Sequence, residues 1–240
     1  QDVAAGDEAA QSPLVKPQPE QVGGGVQGRP LDDRERSAVQ PGVKSNSGYG
    51  DGPVYWNQRY RGDLGTYDWV NQWQDVAESI CRAMEGRSRD QLHILHAGCG
   101  NSELTEGMYA TGFRHITSID SSDVVIGQMA QRSEALQLSE LRWLCMDATH
   151  MGFADGSFDA VIDKCLLDAL ACAEDKELQF ASYLKEVIRV LRPGGPFVCF
   201  SLNSERAEQL KAEPWGFHME EVRHFGKCVL CVCRATEASA

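Results

Sequence analysis

The chain has 240 residues, 42% of them hydrophobic and 24% charged, which is ordinary for a soluble globular protein and enough for one α/β domain plus a tail. Its formal net charge of -12 repels phosphate backbones, so it argues against nucleic-acid binding and favours a basic protein or a cationic small molecule as partner. No uncharged apolar run approaches the ~18 residues of a membrane span, so no membrane association is expected.

Residues 1–48 hold five prolines, seven acidic residues and a Gly23-Gly24-Gly25 run, but no aromatic residue, Ile, Met, Cys or His. Such a segment buries too little apolar surface to offset its ordering entropy and is expected to be a disordered tail or linker. The acidic residues argue against a transit peptide. The first residue is Gln1 rather than Met, which leaves the native start open.

An ordered domain is expected over 49–240, opening on the aromatic cluster YWNQRYRGDLGTYDWVNQW. Apolar positions 69, 73, 76, 77, 80 and 84 predict a helix that ends at Gly86. LHILHA reads as a strand, followed by a helix from about Ser102 to Gly112. HITSID is the next strand, and a helix capped at Ser121-Ser122 runs to about Leu136. LRWLCMD and FDAVID are two further strands around an ADGS turn. A helix over 178–191 stops at Pro193-Gly194-Gly195, and PFVCFSL, a short polar helix and strands at 215–222 and 227–234 complete the chain. Alternation of this kind predicts a Rossmann-like, doubly wound, seven-stranded α/β sheet, mostly parallel, with a C-terminal antiparallel hairpin on its edge. The nine cysteines fall mostly in apolar strand and helix patterns, which points to free thiols in a reducing compartment and a cytoplasmic location.

Ligands of such sheets bind at the carboxyl ends of the strands. Here the first strand ends in Gly98-Cys99-Gly100, the second in Asp120, 22 residues after Gly98, and the third in Asp147. Two glycines let backbone approach a ligand, Asp120 is placed to bind ribose hydroxyls, and Asp147 is placed to meet an adenine amine. A dinucleotide fingerprint needs a third glycine at position 103, where this chain has Glu103, a poor neighbour for a pyrophosphate. S-adenosylmethionine carries no phosphate and fits better.

YWNQRY and YDW before the glycines, GCGNS, Asp120-Ser121 and DK-x-x-LDAL together carry a specific resemblance. From about Tyr55 to Arg234 the chain resembles a class I, seven-stranded S-adenosylmethionine-dependent methyltransferase. It is similar in particular to the group that contains the lysine methyltransferases of elongation factor 1-alpha. The resemblance implies that Trp56, Tyr60 and Trp69 flank the cofactor, that Gly98 and Gly100 line its methionine portion, and that Asp120 and Ser121 meet the ribose. It further implies that Asp147 and Ala148 hold adenine and that Lys164 sits at the cofactor near the mouth. An aromatic face attracts a sulfonium, which agrees with the first of these. Trp73 reads as packing.

The implied activity is methyl transfer to a protein lysine, with an elongation factor as candidate substrate. A small-molecule methyltransferase and a non-catalytic binding protein of the same fold are the alternatives. Asp163 and Asp168 are the candidates to position the acceptor amine. Where the family has Gly-Thr after the lysine, this chain has Cys165-Leu166; Cys165 reads as a small apolar filler rather than a catalytic thiol, and His96 as a satisfied strand-end residue rather than a base. Cys228, Cys231 and Cys233 suggest zinc superficially, with His218 or His224 as a fourth ligand, but the run reads as a strand, so no metal is expected.

Overall fold

A computed structural model describes residues 48–212 and 215–236; the tail expected over 1–48 lies outside them except for Gly48. Two helices come first, α1 (Gly52–Arg61) and α2 (Trp73–Ala83). Then follow β1 (His93–Ala97), α3 (Leu104–Ala110), β2 (His115–Asp120), α4 (Asp123–Ala135), β3 (Arg142–Cys145) and β4 (Ala160–Lys164). The chain continues with α5 (Leu166–Leu170), α6 (Lys176–Val190), β5 (Pro196–Ser201), α7 (Arg206–Ala212), β6 (Phe217–Phe225) and β7 (Cys228–Ala235). The seven strands are ordered β3-β2-β1-β4-β5-β7-β6, parallel up to β5 and antiparallel for β7 and β6. The chain winds outward from β1 to β3, then returns to the other side of β1 with β4. That reversal opens a crevice at the carboxyl ends of β1 and β4.

Both faces of the sheet are covered, so its central strands bury every residue: β4 and β5 are buried throughout. On one face Leu95, Ala97, Val161 and Phe197 pack under Tyr183, Leu184 and Val187 of α6 and Leu210 of α7. On the other, Ile94, Ile116, Ile162 and Val198 meet Val76 and Ile80 of α2 and Leu104 and Met108 of α3. The Ser122 hydroxyl accepts the Val125 N–H at 3.2 Å and caps α4, as the sequence predicts.

Three elements depart from the expectations. Helix α2 starts at Trp73 rather than Trp69, because the preceding residues are tied to the sheet: the Asn71 carbonyl accepts Lys164 Nζ at 3.4 Å. Helix α1 was not expected, since its strong sequence feature, the Trp56 and Tyr60 pair one turn apart, reads as an aromatic cluster before it reads as a helix. The five-residue α5 is too short for periodicity to reveal.

His96 is also a correction, for it is only half satisfied. Its Nδ1 lies 2.9 Å from Thr105 Oγ1, which in turn meets Ser118 Oγ at 2.9 Å, while Nε2 is buried with no protein partner among the described residues. Burial, with the Lys164 charge second, pushes the imidazole down from 6.5 to about 3, so it is neutral in the fold. Between those values the unfolded chain binds the extra proton, and this residue's contribution to stability falls as pH falls. Asp163, raised to about 7, contributes the opposite slope, and does so with or without His96. His96→Gln is therefore expected to remove up to about 1.4 kcal/mol per pH unit of acid destabilisation below about pH 6, measured by denaturant unfolding against pH. An unchanged slope would contradict a neutral, buried imidazole.

Candidate functional site

A cleft opens over the carboxyl ends of β1, β2, β3 and β4. The β1 side brings Gly98 and Gly100, at φ values of +64° and +50° that side chains other than glycine rarely adopt. A Cβ on Gly98 would lie 2.7 Å from Leu166 Cβ, and one on Gly100 would lie 2.8 Å from the Tyr60 hydroxyl. Both glycines are thus required by the close approach of the elements that enclose the cleft.

Asp120 ends β2 and turns its carboxylate inward. It accepts the Gly100 N–H at 2.9 Å and the Ser122 N–H at 3.0 Å. Burial pushes its carboxyl up, and the N–H groups of Ser122, Gly100 and Ser121 pull it back down. Asp147, beyond β3, is exposed and accepts both the backbone N–H and the hydroxyl of Thr149 at 2.8 Å. This turn sets Ala148 into the wall beside it.

The remaining wall comes from a strap, residues 48–72, folded over the strand ends. Tyr49, Trp56, Tyr60, Tyr67 and Trp69 all line the cleft from it. Trp56 stacks on Tyr60 with centroids 5.8 Å apart, and Tyr49 meets Trp69 edge-on at 5.5 Å. The Arg59 guanidinium lies 4.8 Å from the Trp69 ring centroid, so a cation already sits on this cluster.

Polar ties hold the strap in place. Ser122 Oγ donates to Asn57 Oδ1 at 2.6 Å, Asn101 Nδ2 to the Gly65 carbonyl at 2.7 Å, and Gln128 Nε2 to the Tyr60 carbonyl at 2.8 Å. The strongest tie is a buried ion pair between Asp68 of the strap and Lys164 at the end of β4, with 12% and 3% of their side chains exposed. The Ser102 hydroxyl also donates to Asp68.

The structure therefore brings Trp56, Tyr60, Trp69, Gly98, Gly100, Asp120, Ser121, Asp147, Ala148 and Lys164 to one cleft. The two acceptor-positioning candidates separate. Asp168 lines the cleft. Asp163 does not: it is fully buried, and its oxygens accept the N–H groups of Leu166 at 2.9 Å and Leu167 at 3.2 Å. It caps α5, a correction that follows from the turn geometry, which aims the β4 carboxylate at the next helix start. Its carboxyl is raised to about 7 by burial first and by the neighbouring Asp168 second.

Asp68 was not singled out in the sequence, although the YDW motif contains it; only the fold shows that Lys164 needs a partner there. Cys165 sits at φ +71° between β4 and α5, a left-handed position that glycine occupies without strain. Burial and the carboxylates Asp168 and Asp163 push its thiol well above the ordinary range, so it is no thiolate nucleophile. Trp73 packs on Gly107, where a Cβ would come within 2.3 Å of its ring. Cys228, Cys231 and Cys233 are buried in β7 with thiols pushed up to about 11, 11 and 12. No cluster of three or more metal-ligating side chains occurs among the described residues.

The fit to S-adenosylmethionine rests on the donor set. Backbone at Gly98 and Gly100 offers room without side chains, Asp120 offers a carboxylate, and five aromatic rings suit a cation. Arg132 donates to Glu103 at 3.0 Å and to Glu106 at 2.7 Å, holding two carboxylates at the start of α3, where a pyrophosphate would have to sit.

Comparison with known proteins agrees with this geometry. Residues 95–199 match the family described as "Methyltransferase domain". Among curated proteins, the chain is 38% identical over 161 residues to "eEF1A lysine and N-terminal methyltransferase" of Danio rerio, covering 66% of this chain and 22% of that protein. It is 36% identical over 168 residues to "EEF1A lysine methyltransferase 4" of Bos taurus, covering 65% of this chain and 62% of that protein. The chain thus spans about a fifth of the length of the first curated relatives it matches.

Among solved structures, the N-methyltransferase NodS of Bradyrhizobium japonicum, in complex with S-adenosyl-L-homocysteine, aligns with TM-score 0.56 at 19% identity over 76% of this chain and 99% of that one. The [4+2]-cyclase SpnF aligns with TM-score 0.58 at 15% identity over 79% of this chain and 96% of that one. These two show the fold alone.

Removing one partner of a buried ion pair leaves the other desolvated. Asp68→Asn is expected to lower stability by about 3–5 kcal/mol. Adding Lys164→Met should recover part of that loss, read by denaturant unfolding of both variants. Equal, additive losses would contradict a direct tie between strap and sheet.

Proposed function

We propose that this chain, whose residues 95–199 form a methyltransferase domain, transfers methyl groups from S-adenosylmethionine to a protein lysine, with translation elongation factor 1-alpha as the protein. The observation that carries the cofactor half is one cleft that gathers three strand ends and an aromatic strap. The substrate half is supported by the printed names of relatives at 36–38% identity. The net charge of -12 suits a basic protein partner and disfavours nucleic acid. No helix among the described residues is long and apolar enough to cross a membrane. With all nine cysteines free, we place the protein in the reducing cytoplasm.

When bound, S-adenosylmethionine supplies an electrophilic methyl group: the acceptor nitrogen's lone pair forms the new N–C bond as the S–C bond breaks and its electrons return to sulfur as a neutral thioether. The chain supplies binding, alignment and exclusion of water. Asp120 and Ser121 would hold the ribose, Asp147 and Ala148 the adenine, and Gly98 and Gly100 the methionine portion. Trp56, Tyr60 and Trp69 would supply the aromatic wall that attracts the sulfonium and keeps water from it. Lys164 acts through Asp68, fixing the strap that carries these rings. Asp168, the cleft carboxylate contributed by α5, receives the acceptor amine.

Two outcomes test this. Purified chain, methyl-labelled S-adenosylmethionine and unmethylated elongation factor 1-alpha should give label on one lysine of that protein by mass spectrometry; label only on small molecules in an extract would move the acceptor to a metabolite. Asp120→Ala should weaken S-adenosylhomocysteine binding by about tenfold or more, as loss of charged hydrogen bonds does. Asp168→Asn should lower turnover while leaving that affinity within about twofold. Undiminished affinity in the first variant removes Asp120 from the ribose, and undiminished turnover in the second removes Asp168 from the acceptor.

A further inference from the structure

We propose that Arg206 is a positioning residue that keeps the acceptor amine in its reactive, neutral form, by pairing with Asp168 so that the carboxylate can accept a hydrogen bond from the amine without a net negative charge that would trap it as ammonium. The inference rests on the reading of the preceding subsection and adds to it the residue that decides the acceptor's protonation.

Arg206 opens α7, and its side chain is 1% exposed. Packing of α7 does not call for a guanidinium there; Ala207 and Leu210 supply the helix's buried apolar contacts, and an apolar side chain of similar size serves a core as well or better. The guanidinium nevertheless has a partner at each of its three nitrogens. It donates to Asp168 Oδ1 at 2.8 Å, to Ser201 Oγ at 3.2 Å and to Gln209 Oε1 at 2.7 Å, and it lies 5.3 Å from the Phe180 ring centroid.

The other end of this network reaches the cleft. Asp168 Oδ1 is filled by Arg206 and by the Ser201 hydroxyl at 2.5 Å. Among the described residues Oδ2 accepts one donor, the Leu202 N–H at 2.8 Å. A carboxylate oxygen accepts two hydrogen bonds, so Oδ2 retains an open position.

A carboxylate beside an amine has two opposed effects. It orients the nitrogen, but its charge stabilises the ammonium, which has no lone pair to donate. A free lysine titrates near ~10.4, so any such stabilisation works against reaction at neutral pH. The Arg206 charge cancels the field and leaves the hydrogen bond. The ammonium proton then departs to solvent, and the lone pair is free to attack.

The other charged and titratable groups near the amine are common to wild type and variants. Lys164 at the end of β4 is matched by Asp68. The thiols of Cys165, Cys172, Cys199 and Cys228 and the phenol of Tyr183 are all raised by burial and stay neutral. Asp163, beneath α5, is raised to about 7 and feels the Asp168 charge directly, while Asp120, Asp147, Tyr49, Tyr60 and Tyr67 line the same cleft and stay the same in every variant compared.

The test is the pH at which methyl transfer to elongation factor 1-alpha reaches half its alkaline plateau, under single-turnover conditions between about pH 6 and 10. Arg206→Gln leaves a net negative site and should move that midpoint up by about one pH unit; Asp168→Asn leaves a net positive site and should move it down by a similar amount. Arg206→Lys, which keeps the charge, should restore the wild-type midpoint to within about 0.3 units. S-adenosylhomocysteine affinity should stay within about twofold in all three.

Structural damage cannot give shifts of opposite sign, so unmoved midpoints with uniformly lower rates would overturn the proposal. If Arg206→Gln fails to fold alone, the double variant Asp168→Asn/Arg206→Gln, which removes both charges, decides: a midpoint returned to the wild-type value supports the role of Arg206, and one as low as in Asp168→Asn overturns it. Repeating the comparison in Asp163→Asn separates the amine from Asp163: a shift that vanishes there belongs to Asp163 and overturns the proposal. If the wild-type chain transfers no methyl to this protein, the functional reading fails. The pH dependence of n-butylamine binding to the S-adenosylhomocysteine complex, followed by NMR, then makes the same comparison, and identical dependence in wild type and variants overturns the role of Arg206.

Discussion

The buried ion pair between Lys164 and Asp68 is the constraint on which the site depends. Lys164 ends a strand that is buried along its whole length, so its ammonium needs a partner close by or it must be desolvated without compensation. The partner comes from the strap, 96 residues earlier in the chain. Satisfying one buried charge therefore pulls the strap across the carboxyl ends of the strands. The aromatic rings arrive with it, and an open crevice becomes a walled cleft. A hydrophobic contact would provide similar stability but a less specific register for the strap; the short-range requirement of a desolvated ammonium selects one placement.

Backbone geometry completes the enclosure. The strap and α5 approach β1 so closely that Gly98 and Gly100 have no room for side chains, and both adopt left-handed φ values. The same strand-to-helix logic operates at β4, where Asp163 caps α5 and Cys165 takes the left-handed turn. Carboxylates in this domain thus divide by position. Those at the ends of β2 and β3 line the cleft, the one within β4 serves the backbone, and Asp168 of α5 joins cleft to core through Arg206.

Most of the sheet was legible because its strands are apolar and alternate with helices; Ser122 and Pro193-Gly194-Gly195 mark boundaries by their backbone chemistry alone. The lining of the cleft was legible too, because strand-end glycines and aspartates sit at fixed points of this topology. What escaped were features set by tertiary partners. The first residues expected in α2 are held away from the helix by Lys164. His96 reads as satisfied in the sequence because nothing there reveals how many partners a buried ring will find. Asp163 and Asp168 are equivalent candidates by spacing, and only the turn after β4 shows that one faces a helix start and the other the cleft. Arg206 is invisible in this respect, since a charged residue opening a short polar helix reads as a solvated one.

The central claim is that strap and strand ends form a single S-adenosylmethionine site. Hydrogen exchange of the chain with and without saturating S-adenosylhomocysteine tests it most directly. The account predicts slowed exchange together in α1 and the segment up to Trp69, around Gly98–Ser102, at Asp120–Ser122 and at Asp147–Thr149, with NAD giving none of it. Protection confined to the strand ends with the strap unchanged, or equal protection by NAD, would contradict it.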